Sequence, residues 1–297
     1  MRDLVALRTP DVPLGRGLYE SLYLTATSPE GDRALWLRHT WLKAPGQQPE
    51  PVLWVTWWGP DLVPTRGPGT AELTASSSRG SLEQHAWDLS WSADHEPVPY
   101  LPKALYDRRF PRSNGALLVP HGTVDGTFDG TDLSGWSAVV GHNWGAEHAA
   151  RWVWLRGAGF DGSPATWLDV VLGRIRIGPY TTPWIAQGCL SIDGRRRTVG
   201  GIGAARRTTV DEHDDGARLV LPVDGGPAIV VVRAPIERYV GWRYADPGGH
   251  GHEVANCSTA ALVLEVDGRR LTTDHGGVYE LGADRTPMAV PLQPYDD

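Results

Sequence analysis

The stretch Ala34-Leu35-Trp36-Leu37-Arg38-His39-Thr40-Trp41-Leu42 decides the fold class. Successive side chains of a β-strand point to opposite faces of the sheet, so the odd-numbered residues of this stretch share one face and the even-numbered residues share the other. Residues 52–58, Val-Leu-Trp-Val-Thr-Trp-Trp, predict a second strand rich in β-branched and aromatic side chains. These two stretches indicate a β-sheet protein.

Short apolar runs of the same kind recur along the chain, and turn signals separate them. The dipeptide Asp-Gly occurs seven times, at residues 125, 129, 161, 193, 215, 224 and 267. Asp-Gly favours the type I′ turn of a β-hairpin because both central residues of that turn need a positive φ. Gly (36) and Pro (24) together make up 60 of the 297 residues, which disfavours long helices. The pattern predicts an all-β protein built from antiparallel strands.

Composition and charge argue against several classes of protein. The net charge is −7, whereas a nucleic-acid-binding protein needs cations to neutralise phosphates. No apolar run reaches the roughly 18 residues of a membrane-spanning helix, and no secretory signal is visible. Cys189 and Cys257 form no C-x-x-C pair, which excludes zinc ribbons and thioredoxin chemistry. A disulfide between the two stays open as an alternative to the two free buried thiols that we expect. We predict a cytoplasmic protein with no nucleic-acid partner and no membrane span.

Tryptophan is the most unusual part of the composition, with 14 Trp against 3 Phe. It is densest in residues 136–155, which read WSAVVGHNWGAEHAARWVWL. Asn143-Trp144-Gly145 followed by Trp152-Val153-Trp154 resembles the Asn-Trp-Gly and Trp-x-Trp segment of tocopherol cyclases. The run from Gly141 to Gly145 is similar, more loosely, to the Asp-His-Glu-Trp-Gly segment of bacterial carotenoid hydratases. Gly141 and Asn143 stand where that second pattern has carboxylates, which argues against hydratase chemistry.

The resemblance implies a fold and a class of substrate. The fold is two consecutive lipocalin-like antiparallel β-barrels, or half-barrels, packed together. We place the boundary just before the densest aromatic segment, which gives an N-terminal barrel over 1–130 and a C-terminal barrel over 131–297. The implied substrate is a long, apolar isoprenoid or polyene.

Indole side chains are the expected walls of the pocket. Trp152 and Trp154 share one strand face, and Trp136 and Trp144 are expected on a neighbouring strand. Such rings bury apolar surface at roughly 25 cal/mol per Å² and stabilise a carbocation by about 2 kcal/mol when desolvated. The predicted substrate-binding residues are Trp136, Trp144, Trp152, Trp154, Trp242 and Tyr244.

The predicted catalytic residues are His142, Asn143 and Glu147. Cyclisation by protonation needs a strong acid, and a carboxylic acid kept neutral by apolar burial is one source. Glu147, His148 and His142 are candidates. Asp169 is a further candidate because it lies in an apolar strand. No metal ligand set is predicted, because His250-Gly251-His252-Glu253 follows a Pro-Gly-Gly sequence and is interpreted as a surface loop.

The sequence leaves three functions open, beside a purely structural role. The first is a cofactor-free cyclase or isomerase that acts on a hydrophobic isoprenoid or polyene by acid-initiated cyclisation. The second is a pericyclase, similar to lipocalin-like Diels–Alderases, which needs only shape, stacking and one hydrogen-bond donor to the substrate. The third is a lipocalin-like carrier of a lipid or pigment, without turnover. The expected partner is a hydrophobic small molecule, and the oligomeric state is left open.

Overall fold

The structure is a computed structural model, and it describes residues 4, 6–106 and 112–293. The chain forms two compact units. Unit 1 comprises the residues up to 148 together with 245–250, and unit 2 comprises 149–244 together with the residues from 251 onward.

Unit 1 is a curled antiparallel sheet, and we call it a half-barrel because no strand pairing among its described residues closes it. Its strands are β1 (Leu18–Thr27), β2 (Ala34–Lys43), β3 (Glu50–Trp58), β4 (Leu62–Gly67), β5 (Thr70–Leu73), β6 (Ser77–Leu82), β7 (His85–Ala93), β8 (Val98–Pro99), β9 (Ser113–Phe128), β10 (Thr131–Asp132) and β11 (Trp136–Gly145). The strand order is β4-β3-β2-β1-β11-β9-β7-β6-β5, and β8 and β10 pair with β9. Short 3-10 helices lie at Thr9–Asp11 and Lys103–Leu105.

Unit 2 is a closed antiparallel barrel. Its strands are β12 (Arg151–Gly157), β13 (Trp167–Arg174), β14 (Arg176–Ile177), β15 (Tyr180–Thr181), β16 (Ile185–Ile192), β17 (Arg195–Gly200), β18 (Thr209–His213), β19 (Gly216–Val223), β20 (Gly226–Arg233), β21 (Val240–Ala245), β22 (Gly251–Val266) and β23 (Arg269–Ala283). The order β17-β16-β13-β12-β23-β22-β20-β19 closes into eight strands where β17 pairs with β19. Two 3-10 helices lie at Ile202–Arg207 and Ile236–Arg238, and β14 and β15 form a separate hairpin.

The predicted all-β fold is confirmed as one closed lipocalin-like barrel and one half-barrel. The stretch 34–42 lies in β2, where Leu35 and Leu37 belong to the unit 1 core. Asp129, Asp193 and Asp267 have φ of 49°, 50° and 53°, and the glycine after each also has a positive φ. These three Asp-Gly pairs therefore form the tight turns that the sequence predicted.

The barrel of unit 2 has an aliphatic interior. Val153 and Leu155 on β12 belong to its core, together with valines and leucines from the neighbouring strands. Because side chains alternate along a barrel strand, Trp152 and Trp154 lie on the outer face of the same strand. The structure thus differs from the expectation that these two indoles wall the interior of a barrel.

The division into units also differs from the expected boundary near residue 130. Strand β11 (Trp136–Gly145) pairs with β1 on one side and β9 on the other, so it belongs to unit 1. The later segment 245–250 belongs to unit 1 as well, where the Asp246 carboxylate accepts hydrogen bonds from the His148 backbone N–H (2.8 Å) and from its Nδ1 (2.6 Å).

Both cysteines are free and buried, as the sequence predicted. Among the helical segments of the described residues, none has the length and apolar character that crossing a membrane requires.

Candidate functional site

A cavity of about 190 Å³ lies within unit 1, against the core-facing side of its sheet. Leu22 and Leu24 on β1 and Leu37 on β2 contribute apolar walls, and Trp41 and Trp91 contribute indole rings. An apolar cavity of about 150 Å³ is enough to hold benzene. The volume is therefore sufficient for a six-membered ring.

His39 is the histidine among the residues that line this cavity. Its Nε2 lies 3.2 Å from the Ser78 hydroxyl, and that hydroxyl accepts a hydrogen bond from the Trp87 indole N–H (2.8 Å). Burial, which leaves His39 only 5% exposed, lowers its pKa to about 4, so the imidazole is neutral at pH 7.

The hydrogen bonds around Ser78 indicate where the His39 proton sits. The Ser78 hydroxyl accepts from Trp87, and a buried hydroxyl proton needs an acceptor of its own. Nε2 of His39 meets that need, which leaves the ring proton on Nδ1. Within the described part of the chain, no protein group bonds to Nδ1, so we assign it as an N–H donor available to a ligand in the cavity.

A buried Glu20–His142 pair adjoins the cavity. His142 Nε2 lies 2.8 Å from Glu20 Oε1, and His142 Nδ1 lies 2.7 Å from the Leu4 carbonyl oxygen. A carbonyl only accepts, so Nδ1 carries a proton. Glu20 also accepts from the backbone N–H groups of Arg8 (2.6 Å) and Thr9 (2.7 Å) and from the Thr9 hydroxyl.

These contacts make Glu20 an acceptor rather than an acid. Burial alone would raise its pKa, but the hydrogen bonds from His142, Thr9 and Arg8 outweigh burial and hold the pKa below its usual value. Glu20 is therefore a carboxylate, and His142 hydrogen-bonds to it through Nε2 and to the Leu4 carbonyl oxygen through Nδ1.

Strand register places this pair beside the cavity. Leu22 stands opposite His39 on β2 and opposite His142 on β11, so the three residues form one row across the sheet. Two strand spacings separate the histidine backbones by about 10 Å. Leu7 lines the cavity, and the residues that follow it bond to Glu20. The Glu20–His142 pair thus fixes the chain segment that covers one side of the cavity.

The predicted site residues of unit 1 do not all lie together. Trp136 stacks on Trp57 at 5.8 Å, whereas Trp144 packs against His142 at 4.6 Å between ring centroids. Trp136 and Trp144 are eight residues apart on one strand, or about 27 Å. One pocket therefore does not bring these two indoles together.

Asn143 and Glu147 lie away from the cavity lining. Asn143 alternates with His142 and Trp144 along β11, and its Oδ1 packs over Gly115 on the other face of the sheet. Glu147 forms an ion pair of 2.8 Å with Arg112, and its side chain is 36% exposed. A partly solvated, paired carboxylate does not have the apolar surroundings that keep a catalytic acid neutral.

In unit 2, two predicted residues meet at a carboxylate that sequence reasoning missed. Glu280 accepts hydrogen bonds from the Trp152 indole N–H (2.9 Å), the Tyr244 hydroxyl (3.0 Å) and the Asn256 amide (3.2 Å). The available signal was a lone carboxylate in the apolar run 278–282, Val-Tyr-Glu-Leu-Gly. Trp242 is fully buried on the same strand as Tyr244.

Two other expectations are resolved in unit 2. Asp169 is fully buried, lies 3.2 and 3.3 Å from the Trp154 indole nitrogen, and lies 4.0 Å from Arg156. It is therefore a paired carboxylate rather than an isolated one. The interpretation of residues 250–253 as a surface loop is wrong for His252, which lies in β22 and is 2% exposed. Its Nδ1 lies 3.7 Å from Asp284.

Comparisons with known proteins support the fold. No family model matches the chain. An uncharacterised protein of Mycobacterium tuberculosis, found in two strains, is 25% identical over 90% of this chain and 86% of its own length. The crystal structure of CghA with Sch210972 is similar with a TM-score of 0.60 and 12% identity, over 91% of this chain and 90% of that one.

A putative AttH from Nitrosomonas europaea is similar with a TM-score of 0.56 and 13% identity, over 95% of this chain and 97% of that one. At these identities the likenesses establish the architecture alone. They agree with the two-part lipocalin-like fold that the resemblance implied, while the specific likeness to tocopherol cyclases stays a prediction.

Proposed function

We propose that the chain is a cofactor-free cyclase that binds a hydrophobic polyene with a carbonyl group in the unit 1 cavity and closes a ring by a pericyclic reaction. The observation that carries the proposal is the neutral His39 imidazole, which offers one N–H donor to an otherwise mostly apolar cavity. The similar fold of CghA, whose crystal structure was determined with Sch210972, supports a small-molecule ligand.

The reaction balances without a redox partner or an added proton. In a cyclisation between a diene and an alkene conjugated to the carbonyl, two carbon–carbon σ bonds form, two π bonds are lost, and the remaining π bond shifts. The leucine and indole walls hold the chain folded, which supplies proximity. The His39 Nδ1–H donates to the carbonyl oxygen and draws electron density from the alkene, and a preorganised donor in a dry site is worth more than one in water.

Acid-initiated cyclisation is the weaker of the two chemistries on this geometry. Glu20 is held as a carboxylate by its hydrogen bonds, and Glu147 is paired with Arg112 near the surface. His39, with a pKa of about 4, is unprotonated near neutral pH. None of the three offers the neutral, buried carboxylic acid that protonation of an alkene calls for.

The test is an incubation of the purified full chain with linear polyenes that carry a conjugated carbonyl, and separately with a prenylated hydroquinone, in heavy water. The proposal expects a product of unchanged mass with no solvent deuterium on carbon. Uptake of one deuterium would favour acid-initiated cyclisation, and tight binding without product would favour the carrier.

Variants at His39 connect the result to the cavity. His39→Leu removes the donor, and we expect turnover to fall by about 10²-fold. Losses of that size are typical of enzymes in which one hydrogen-bond donor to a reacting oxygen is deleted. His39→Gln keeps an N–H group and restores part of the rate. His275→Gln changes an exposed histidine of unit 2 and serves as the matched control. Equal turnover in His39→Leu and the wild type would overturn the assignment.

A further inference from the structure

Unit 2 carries exposed apolar side chains in two neighbouring segments. Ile177 and Tyr180, in the β14–β15 hairpin, are 54% and 77% exposed, and Ile202, at the start of a 3-10 helix, is 69% exposed. We propose that these segments, residues 174–184 and 201–208, form a docking surface for an anionic lipid bilayer. The proposal does not depend on the reaction assigned to unit 1.

The two segments leave the barrel wall at the same place. The hairpin segment ends one residue before β16 begins at Ile185. The backbone N–H of Gly201, which directly precedes Ile202, donates to the Ala186 carbonyl oxygen (2.7 Å), one residue further along β16. The hairpin and the 3-10 helix therefore flank one strand end and present their apolar side chains from a common part of the barrel.

Charge is segregated at this surface. The docking surface contains four arginines (Arg174, Arg176, Arg206 and Arg207) and no Asp or Glu, although the whole chain has a net charge of −7. Arg206 and Arg207 are exposed, and no carboxylate of the described residues forms an ion pair with either. Arg176 makes an exposed 3.4 Å contact with Asp284 in unit 2.

A bilayer with anionic headgroups matches these properties. Isolated apolar side chains on a short hairpin reach only the boundary between headgroups and acyl chains, and tyrosine is enriched at that depth. Arginines near an anionic leaflet add electrostatic attraction that salt weakens. The rest of this acidic protein is repelled by the same leaflet, so the cationic surface determines which side faces the lipid.

The experiment is co-sedimentation of the full chain with phosphatidylcholine vesicles and with vesicles that contain about 30% phosphatidylserine. We expect binding to the anionic vesicles that decreases as salt is added, and little binding to phosphatidylcholine alone. Arg206→Glu combined with Arg207→Glu should reduce binding to the level of phosphatidylcholine. Ile177→Ser combined with Tyr180→Ser should reduce the bound fraction by about fivefold or more.

Leu14→Ser is the matched control, because Leu14 is 57% exposed but belongs to unit 1. Circular dichroism and thermal unfolding are measured for each variant to check that it keeps its fold. The proposal is overturned if the wild type does not bind anionic vesicles. It is equally overturned if folded variants of the docking surface bind as the wild type does, or if Leu14→Ser weakens binding as much as they do.

Discussion

The buried His39 imidazole should make the free energy of unfolding of unit 1 decrease at acid pH. Its pKa is about 4 in the folded protein and 6.5 in an unfolded chain. Above pH 6.5 the imidazole is neutral in both states, so it contributes no pH dependence. Below pH 6.5 the His39 imidazole becomes protonated in the unfolded chain, whereas in the folded chain it stays neutral down to about pH 4. The free energy of unfolding therefore falls as the pH is lowered from 6.5 to 4.

The size of the effect follows from the shift. A difference of 2.5 pKa units corresponds to about 3.4 kcal/mol at about 1.36 kcal/mol per unit. At pH 4.5, where the folded state is already partly protonated, the loss is about 2.5 kcal/mol. His39→Gln has no titrating group at this position, so it loses stability less steeply. The difference in unfolding free energy between wild type and His39→Gln should therefore shift by about 2.5 kcal/mol between pH 7 and 4.5.

The assay is urea unfolding of the full chain at both pH values, with hydrogen exchange of β1, β2 and β3 to identify the unfolding of unit 1. His275→Gln controls for the general effect of losing a histidine, because His275 is exposed in unit 2. If the difference between wild type and His39→Gln is the same at pH 7 and pH 4.5, His39 is not the neutral, desolvated donor described above.

Three further substitutions test other contacts. Glu20→Gln weakens the buried hydrogen bonds that this carboxylate accepts from His142, Thr9 and the Arg8 backbone, and should lower the free energy of unfolding by about 3 kcal/mol. Faster proteolysis near residue 9 would report release of the segment that covers the cavity, and unchanged proteolysis would contradict that role. Gly141→Ala places a Cβ 2.2 Å from the Tyr23 ring and should lower the free energy of unfolding, measured with urea or heat, by about 1–3 kcal/mol. Adding Tyr23→Ala should recover part of that loss, and a double variant whose loss equals the sum of the two single losses would refute the contact. Glu280→Leu leaves three buried donors without an acceptor and should lower the free energy of unfolding in urea by about 3 kcal/mol or more. Glu280→Gln keeps an acceptor oxygen and should lower it less, so equal losses in the two variants would argue against the hydrogen-bonded arrangement.

The fold was readable from local patterns because each strand carries its own signal. The alternation in residues 34–42 and the Asp-Gly turns at 129, 193 and 267 depend only on neighbouring residues, and the structure confirms both. The boundary near 130 depends instead on which distant strands pair with β11, and no local pattern reports that pairing.

The candidate site was harder to predict for the same reason. Trp152 and Trp154 share a strand face, as expected, but the sequence does not state which face of a barrel strand points inward. His39 stands in line with Leu35 and Leu37, and that alternation already placed it on an apolar face. No local pattern indicated that His39 hydrogen-bonds to Ser78, which lies 39 residues away along the chain.

The interleaved path of the chain has a consequence for genetic truncation. Residues 245–250 belong to unit 1, yet strands of unit 2 lie on both sides of them in the sequence. A gene cut after codon 148 would yield a first fragment without the Asp246 carboxylate that holds His148, and a second fragment with six orphaned residues in the middle. Such a cut therefore does not follow the boundary between the two units, and it separates His148 from the carboxylate that accepts its two hydrogen bonds.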